Sequence, residues 1–434
     1  MRDKMFFDNN WRIIVGFLTL AMFIAADITQ GKGVFLNYDG KIKVMQKPVV
    51  KSIQSSDGDI IDCVDIYHQP AFYHPALQNH TIQMMPSFRL KQDAVNDRSQ
   101  SSSVKMLQQT WQKSGSCPKG TVPIRRVRRR DLLRFDNLER FGKKSPSIAA
   151  NSSNNRQLYP DRTLVVNNNR TIITLGPRPN HSSAVLVSTV VHYAGSKGTI
   201  AVYNPKVERW DEYSTAQLWV QNGSPQDLES VESGWIVNKK LYGDTRTRFF
   251  TYWTRDGSQK TGCFDHVCAG FVQTNPDVTL GAAFNHISIP GRSLYFFTLR
   301  IEKDTRTENW WLTMNRDIQI GYWPATLFSR AFGQGATILQ WGGEVYSGNI
   351  RKTPHTTTAM GSGGYLDVNR GYTCFVENIR VLQHPTGQWD YPNPSYIGTY
   401  ADEKQCYAAK FYYPGFMKEP TFFFGGPGRN PQCP

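Results

Sequence analysis

The chain has 434 residues, of which 39% are hydrophobic and 20% charged, with 35 Gly and 24 Pro. That mixture excludes a fibrous repeat and a wholly disordered chain, and the length allows two to three domains whose core needs neither metal nor disulfide to exist. Aromatic residues at 13% favour strands over a long helical bundle, and a net charge of +15 draws anionic partners without specifying a fold.

In chain order, residues 1–26 come first. Arg2, Lys4 and Arg12 precede an apolar run from Ile13 to Ala26 that ends in small residues. The run is too short to span a bilayer comfortably and has the layout of a cleaved signal peptide; the alternative is an uncleaved signal anchor. Export and an extracellular, cell-wall or vacuolar location follow, with no membrane span after signal removal. Residues 27–141 form an N-terminal piece. It holds the stretch Asp57–Pro75, then Cys117–Pro118–Lys119–Gly120–Thr121–Val122–Pro123–Ile124 and a basic run from Arg125 to Arg134. Behind a signal peptide nucleic-acid binding is a poor reading of that run; it reads as a solvated charged face or an exposed, protease-sensitive or polyanion-contacting segment. Residues 142–180 are rich in Lys, Ser, Asn and Pro and read as an exposed linker.

From 181 to 434 nearly everything is strand signal: Gly198–Tyr203, Ser214–Gln221, Arg248–Thr254, Ser293–Ile301, Trp310–Met314 and Thr337–Trp341. These short β-branched and aromatic runs, separated by Gly, Pro, Asn and Asp, predict an all-β, antiparallel β-sandwich domain behind a smaller mixed domain. No internal repeat is evident.

Seven cysteines in an exported chain invite disulfides, and the odd count leaves one over. Five N-x-S/T sequons start at Asn79, Asn151, Asn169, Asn180 and Asn222 and fit a glycoprotein. No histidine spacing suits a metal, no glycine loop suits a nucleotide phosphate, and no nucleophile elbow is present, so neither metal nor cofactor is expected. Two carboxylates stand out. Glu232 lies in Glu232–Ser–Gly–Trp235 and Glu344 follows Trp341–Gly–Gly343. Glycine inside a strand marks a bulge or a close approach. The glycines and aromatics around them suggest a cleft floor, but taken alone each glutamate reads as a solvated outer-face residue.

An ordered set of segments carries a family resemblance. Gly58–Ile66, Gln69–Phe72 and Cys117–Arg126 come first. Asn204–Val207, Ala216–Val220, Glu232–Trp235, Tyr242–Phe250, Thr261–Phe264, Gly270–Gln273, Trp341–Val345 and Met360–Gly363 follow. Together they resemble the neprosin family, secreted plant glutamic peptidases that cut after proline. The resemblance spans about residue 40 to the C-terminus. It implies a zymogen whose activation peptide blocks a cleft on the concave face of a β-sandwich, with acid triggering removal of the peptide. It also implies Glu232 and Glu344 as the catalytic pair. For the cysteines it implies Cys63–Cys117 within the propeptide, and Cys263–Cys268 and Cys406–Cys433 in the catalytic domain, leaving Cys374 unpaired.

Two glutamates suit peptide hydrolysis. Like charges sharing a site cannot both ionise easily, so one activates water while the other keeps a proton. Such a pair titrates as a unit; a first assignment makes Glu232 the base and Glu344 the acid. A proline pocket should be flat, aromatic and indifferent to a missing N–H. Its candidate walls are Trp235, Tyr252, Trp253, Trp341 and Tyr346, although Trp235 stands at an odd offset from Glu232 and would point away on a regular strand. The expected partners are proline-containing polypeptides and the chain's own propeptide, with the chain a monomer. Rival readings are a glycoside hydrolase, which also uses two carboxylates, and an inactive extracellular binding module of the same fold.

Overall fold

The computed structural model describes residues 48–88, 108–146, 177–224, 227–383, 387–414 and 419–434. The signal-like segment, the sequons at Asn151 and Asn169, and residues 147–176 of the expected linker lie outside the described residues.

The N-terminal piece is built on a three-stranded antiparallel sheet, β1 (Val49–Gln54), β2 (Ile60–Asp65) and β3 (Thr121–Arg125), in that spatial order. Its core is two small clusters: Ile53, Ile61, Cys63 and Trp111, which pack with Ala282, and Val64, Ile66, Val122 and Ile124. The Cys63–Cys117 disulfide closes a 54-residue separation across it. Such a core buries little, so the crosslink does much of the work of holding the piece together.

The rest is one curled antiparallel sheet. Its strands are β4 (His181–Ala201), β5 (Tyr213–Asn222), β6 (Glu229–Asn238), β7 (Arg248–Thr254), β8 (Cys263–Phe264), β9 (Val272–Gln273), β10 (Phe296–Lys303), β11 (Trp310–Met314), β12 (Ile318–Trp323), β13 (Ala336–Tyr346) and β14 (Cys374–Gln383), with four short strands after them. The spatial order is β8-β7-β6-β5-β13-β4-β10-β11-β12-β9, and β14 also lies against β4. The 21-residue β4 is the hinge of the curl. Its first half pairs with β13 and its second half with β10 and β14. Helices among the described residues reach at most five residues.

Strand alternation divides β5, β6 and β13 into two faces. Ala216, Leu218, Trp235 and Trp341 turn inward. The indole N–H of Trp235 donates to the Ala201 carbonyl at 2.8 Å and that of Trp341 to the Lys197 carbonyl at 3.1 Å. Both carbonyls lie on the second half of β4, so the two tryptophans bolt one layer of the curl to the other. Trp235 and Trp341 are therefore core residues, each fully buried, and not walls of the cleft.

Two further expectations change. The basic run is not simply a solvated face. Arg125 is buried against Asp59 at 3.2 Å, Arg126 pairs with Asp62, and Arg134 donates to the Lys240 and Leu241 carbonyls; only Arg129 and Arg130 of the arginines stand exposed. Residues 142–146, expected in an exposed linker, run through the cleft instead. Gly142 sits at φ +77, where a Cβ would come 2.4 Å from Val267.

Candidate active site

The outer, concave face of the same three strands carries Glu232, Trp219 and Gln340 in one cross-strand row. Gly234, Gln217 and Gly342 form the next, and Ile236, Thr215 and Glu344 the third. The register thus places Glu232 and Glu344 on one face with Gln217 between them. Gly234 is required here: a Cβ on it would lie 2.0 Å from the Ala216 carbonyl oxygen. Both glutamates are buried, Glu232 3% exposed and Glu344 fully covered.

They converge on one cation. The Lys144 ammonium lies 2.6 Å from Glu232 Oε2 and 3.6 Å from Glu344 Oε2. It is flanked by the Tyr252 ring, 5.1 Å to the centroid, and the Phe264 ring, 6.0 Å away. The backbone around it is pinned: Phe264 N–H donates to the Gly142 carbonyl at 2.8 Å, and Lys144 N–H to the Tyr252 hydroxyl at 3.2 Å.

The two carboxylates have different surroundings. Glu344 Oε1 accepts from the Tyr213 hydroxyl at 2.7 Å and from His181 Nδ1 at 2.8 Å, and Oε2 is ion-paired with Arg178. Burial alone would raise the Glu344 carboxyl, but Arg178, Lys144 and His181 hold it well below the usual carboxylate range. Burial pushes the His181 imidazole down to about 4 against the pull of Glu344, so it is a neutral donor. Apart from Lys144, the side chains hydrogen-bonded to Glu232 are neutral. Gln217 Nε2 donates to its Oε2 at 3.0 Å and the Ser230 hydroxyl to its Oε1 at 3.1 Å.

The Neprosin family model matches residues 210–427 and the Neprosin activation peptide model matches residues 52–170. The chain belongs to the neprosin family. It is a glutamic peptidase carrying the family's activation peptide ahead of its catalytic domain, and Lys144 falls within the activation-peptide match. Among solved structures it is similar to scytalido-glutamic peptidase with a peptide-based transition-state analogue, at 10% identity over 57% of this chain and 98% of that one, with a TM-score of 0.30. It is also similar to SCP-B, a member of the eqolisin family, in complex with the tripeptide Ala-Ile-His, at 9% identity over 57% of this chain and 97% of that one, with a TM-score of 0.28.

The activation peptide of this neprosin-family chain grips the catalytic domain by its main chain. The Gln69 carboxamide both donates to the Gln273 carbonyl at 3.0 Å and accepts from its N–H at 2.7 Å. Gln109 does the same to Thr279, at 2.6 and 2.7 Å. Each side chain imitates a strand neighbour, which satisfies edge groups that burial would otherwise orphan. Asp304 of the catalytic domain accepts from Gln83 at 2.7 Å and from the Ser87 N–H at 2.6 Å.

Of the expected aromatic walls, Tyr252 pairs across the strands with Glu232, and Tyr346 stacks on Tyr213 with centroids 5.3 Å apart, beside Glu344. Trp253 points to the other face, where Phe328 and His74 meet its ring edge-on at 5.9 and 5.7 Å. Sequence reasoning missed Lys144, Arg178, His181, Tyr213, Gln217, Trp219 and Phe264. The disulfides are Cys63–Cys117, Cys263–Cys268 and Cys406–Cys433, with Cys374 a buried free thiol. Asn79 is exposed and Asn180 and Asn222 are half-buried.

Proposed function

We propose that this chain is the secreted zymogen of an acid-active endopeptidase that cuts peptide bonds after proline, with Glu232 and Glu344 as its water-activating pair. One observation carries the reading: two buried glutamates from different strands converge on a single ammonium supplied by the activation peptide. A buried cation held by two carboxylates stands where an active pair would hold water.

We read the two roles in the reverse of the first assignment, on the support of their surroundings. When Lys144 leaves, Glu344 keeps Arg178, His181 and Tyr213 and stays ionised, so it is the base. Glu232 keeps the Gln217 amide and the Ser230 hydroxyl as hydrogen-bond partners and has no direct ion pair left, so we assign it the acid role. Glu344 then takes a proton from water. The resulting hydroxide attacks the scissile carbonyl, and Glu232 donates its proton to the leaving amine. Gln217 is placed to hold Glu232 in register with its partner. The Tyr252 and Phe264 faces, freed of the ammonium, suit a pyrrolidine ring, which is flat, apolar and has no N–H to satisfy.

The test is digestion of a proline-containing peptide by acid-treated wild-type, Glu232→Gln and Glu344→Gln chains. Cleavage after proline by wild type alone is the expected result. A folded wild type, stripped of its activation peptide and inert, would instead support a binding module.

A further inference from the structure

The activation peptide occupies a second charged site. Arg248, the first residue of β7, is fully buried. Asp244 holds two of its nitrogens, Nε at 3.2 Å and Nη2 at 2.6 Å, and the Gly281 carbonyl accepts from Nη1 at 2.6 Å. The remaining partner of Nη1 is Asp59 of the activation peptide, at 2.6 Å. Asp59 follows the β1–β2 turn, where the neighbouring Arg246 donates to the Asp57 carbonyl at 2.7 Å. Arg125, also of the activation peptide, closes the site by donating to Asp59 at 3.2 Å and to the Tyr242 carbonyl at 3.1 Å.

Arg248 and Tyr252 lie on the same face of β7, four residues apart, which is about 13 Å of extended strand. The activation peptide runs from one to the other. Arg134 contacts the Lys240 and Leu241 carbonyls, Arg140 the Ser258 carbonyl, and Lys144 the glutamates. Arg248 and the glutamate pair are thus two ends of one trough.

We infer that in the activated enzyme Arg248 is a carboxylate-binding subsite, which takes an Asp or Glu side chain of an extended substrate about four residues from the bond that is cut. The inference rests on the proposed reading that this trough receives the substrate chain. Departure of the activation peptide removes Asp59 and Arg125 together. It leaves a permanently charged guanidinium, already oriented by Asp244, with one nitrogen aimed at the vacated carboxylate position. A carboxylate there regains a charge-assisted hydrogen bond that a carboxamide cannot match, and Arg246 adds positive charge beside it. Asp59 is the stand-in for that substrate side chain.

The test uses the full chain after activation and a set of proline peptides. Each carries one Asp, or Asn in its place, at successive positions on either side of the proline. Binding and cleavage are both read near pH 5, where an exposed aspartate is about nine-tenths ionised. The expected result is a single position where Asp lowers Kd at least about fivefold relative to Asn. The gain should fade in high salt and vanish in Arg248→Gln. Equal Kd values for Asp and Asn peptides at every position in wild type overturn the inference, whatever the variant does. An Asp preference in binding without any cleavage keeps the subsite and overturns the peptidase reading instead.

Discussion

In the proposed reading, latency turns on Lys144. Its ammonium is buried and satisfied by both glutamates, and removing one partner of a buried ion pair costs about 3–5 kcal/mol. Lys144→Met should therefore weaken docking of the activation peptide at least about a hundredfold. The check is peptide cleavage by the still-uncut chain, with its integrity followed on a gel. Nothing in the sequence pointed to Lys144, because its meaning depends on contacts 88 and 200 residues away. His181, Arg178 and Tyr213 were hidden for the same reason: each is ordinary in its own segment. Trp341 shows the reverse case. It lies within a recognisable motif beside Glu344, yet the strand period turns it into the core, where its N–H bonds Lys197. Trp341→Phe should lower the thermal midpoint by several degrees, from a loss of about 1–3 kcal/mol, and leave KM unchanged. Trp219→Ala, on the glutamate face, should raise KM. Steady-state kinetics beside a melting curve separates the two.

At the scale of elements, the strands were legible and their partners were not. Aromatic and β-branched runs predicted β5, β7 and β11 closely, and the start of β13. The order in which they pair, with β13 inserted between β5 and β4, is non-local and leaves no local trace. The basic run from Arg125 was misread because charge alone does not say whether acceptors await it. Here Asp59, Asp62, Asp131 and main-chain carbonyls do. The activation-peptide sheet is the weakest element, with three strands over a core of a few side chains. Its disulfide closes a loop long enough to be worth about 4 kcal/mol in chain entropy. Replacing Cys63 and Cys117 by Ser should therefore loosen this piece first. Hydrogen exchange should rise in β1–β3 while β5, β6 and β13 stay protected.

At the scale of the whole molecule, acid acts on several joints at once. Asp59 and Asp304 have ordinary values of 3.8 and Glu344 of 4.5, and all three are held lower in the docked form. For each, burial pulls upward and is outweighed: by Arg248 and Arg125 at Asp59, by hydrogen bonds from Ser87 and Gln83 at Asp304, and by Arg178, Lys144 and His181 at Glu344. A depressed carboxyl stabilises docking above its ordinary value and loses that contribution as pH falls through the depressed one. Glu344 keeps Arg178 and His181 on release, so the pH dependence lies chiefly at Asp59 and Asp304, and docking should hold at neutral pH and fail progressively below about pH 4. Asp59→Asn should move that transition upward, as read by protease sensitivity of the activation peptide along a pH series. The central claim, that Glu232 and Glu344 are one catalytic pair silenced by Lys144, is tested most directly by a single experiment. Wild-type, Glu232→Gln and Glu344→Gln chains are acidified from about pH 7 to about pH 3, a range spanning the carboxylates. Self-cleavage and cleavage of a proline peptide are then followed by mass spectrometry. Cleavage after proline in wild type only, appearing as the activation peptide departs, is the predicted result. Cleavage that survives either substitution would contradict it.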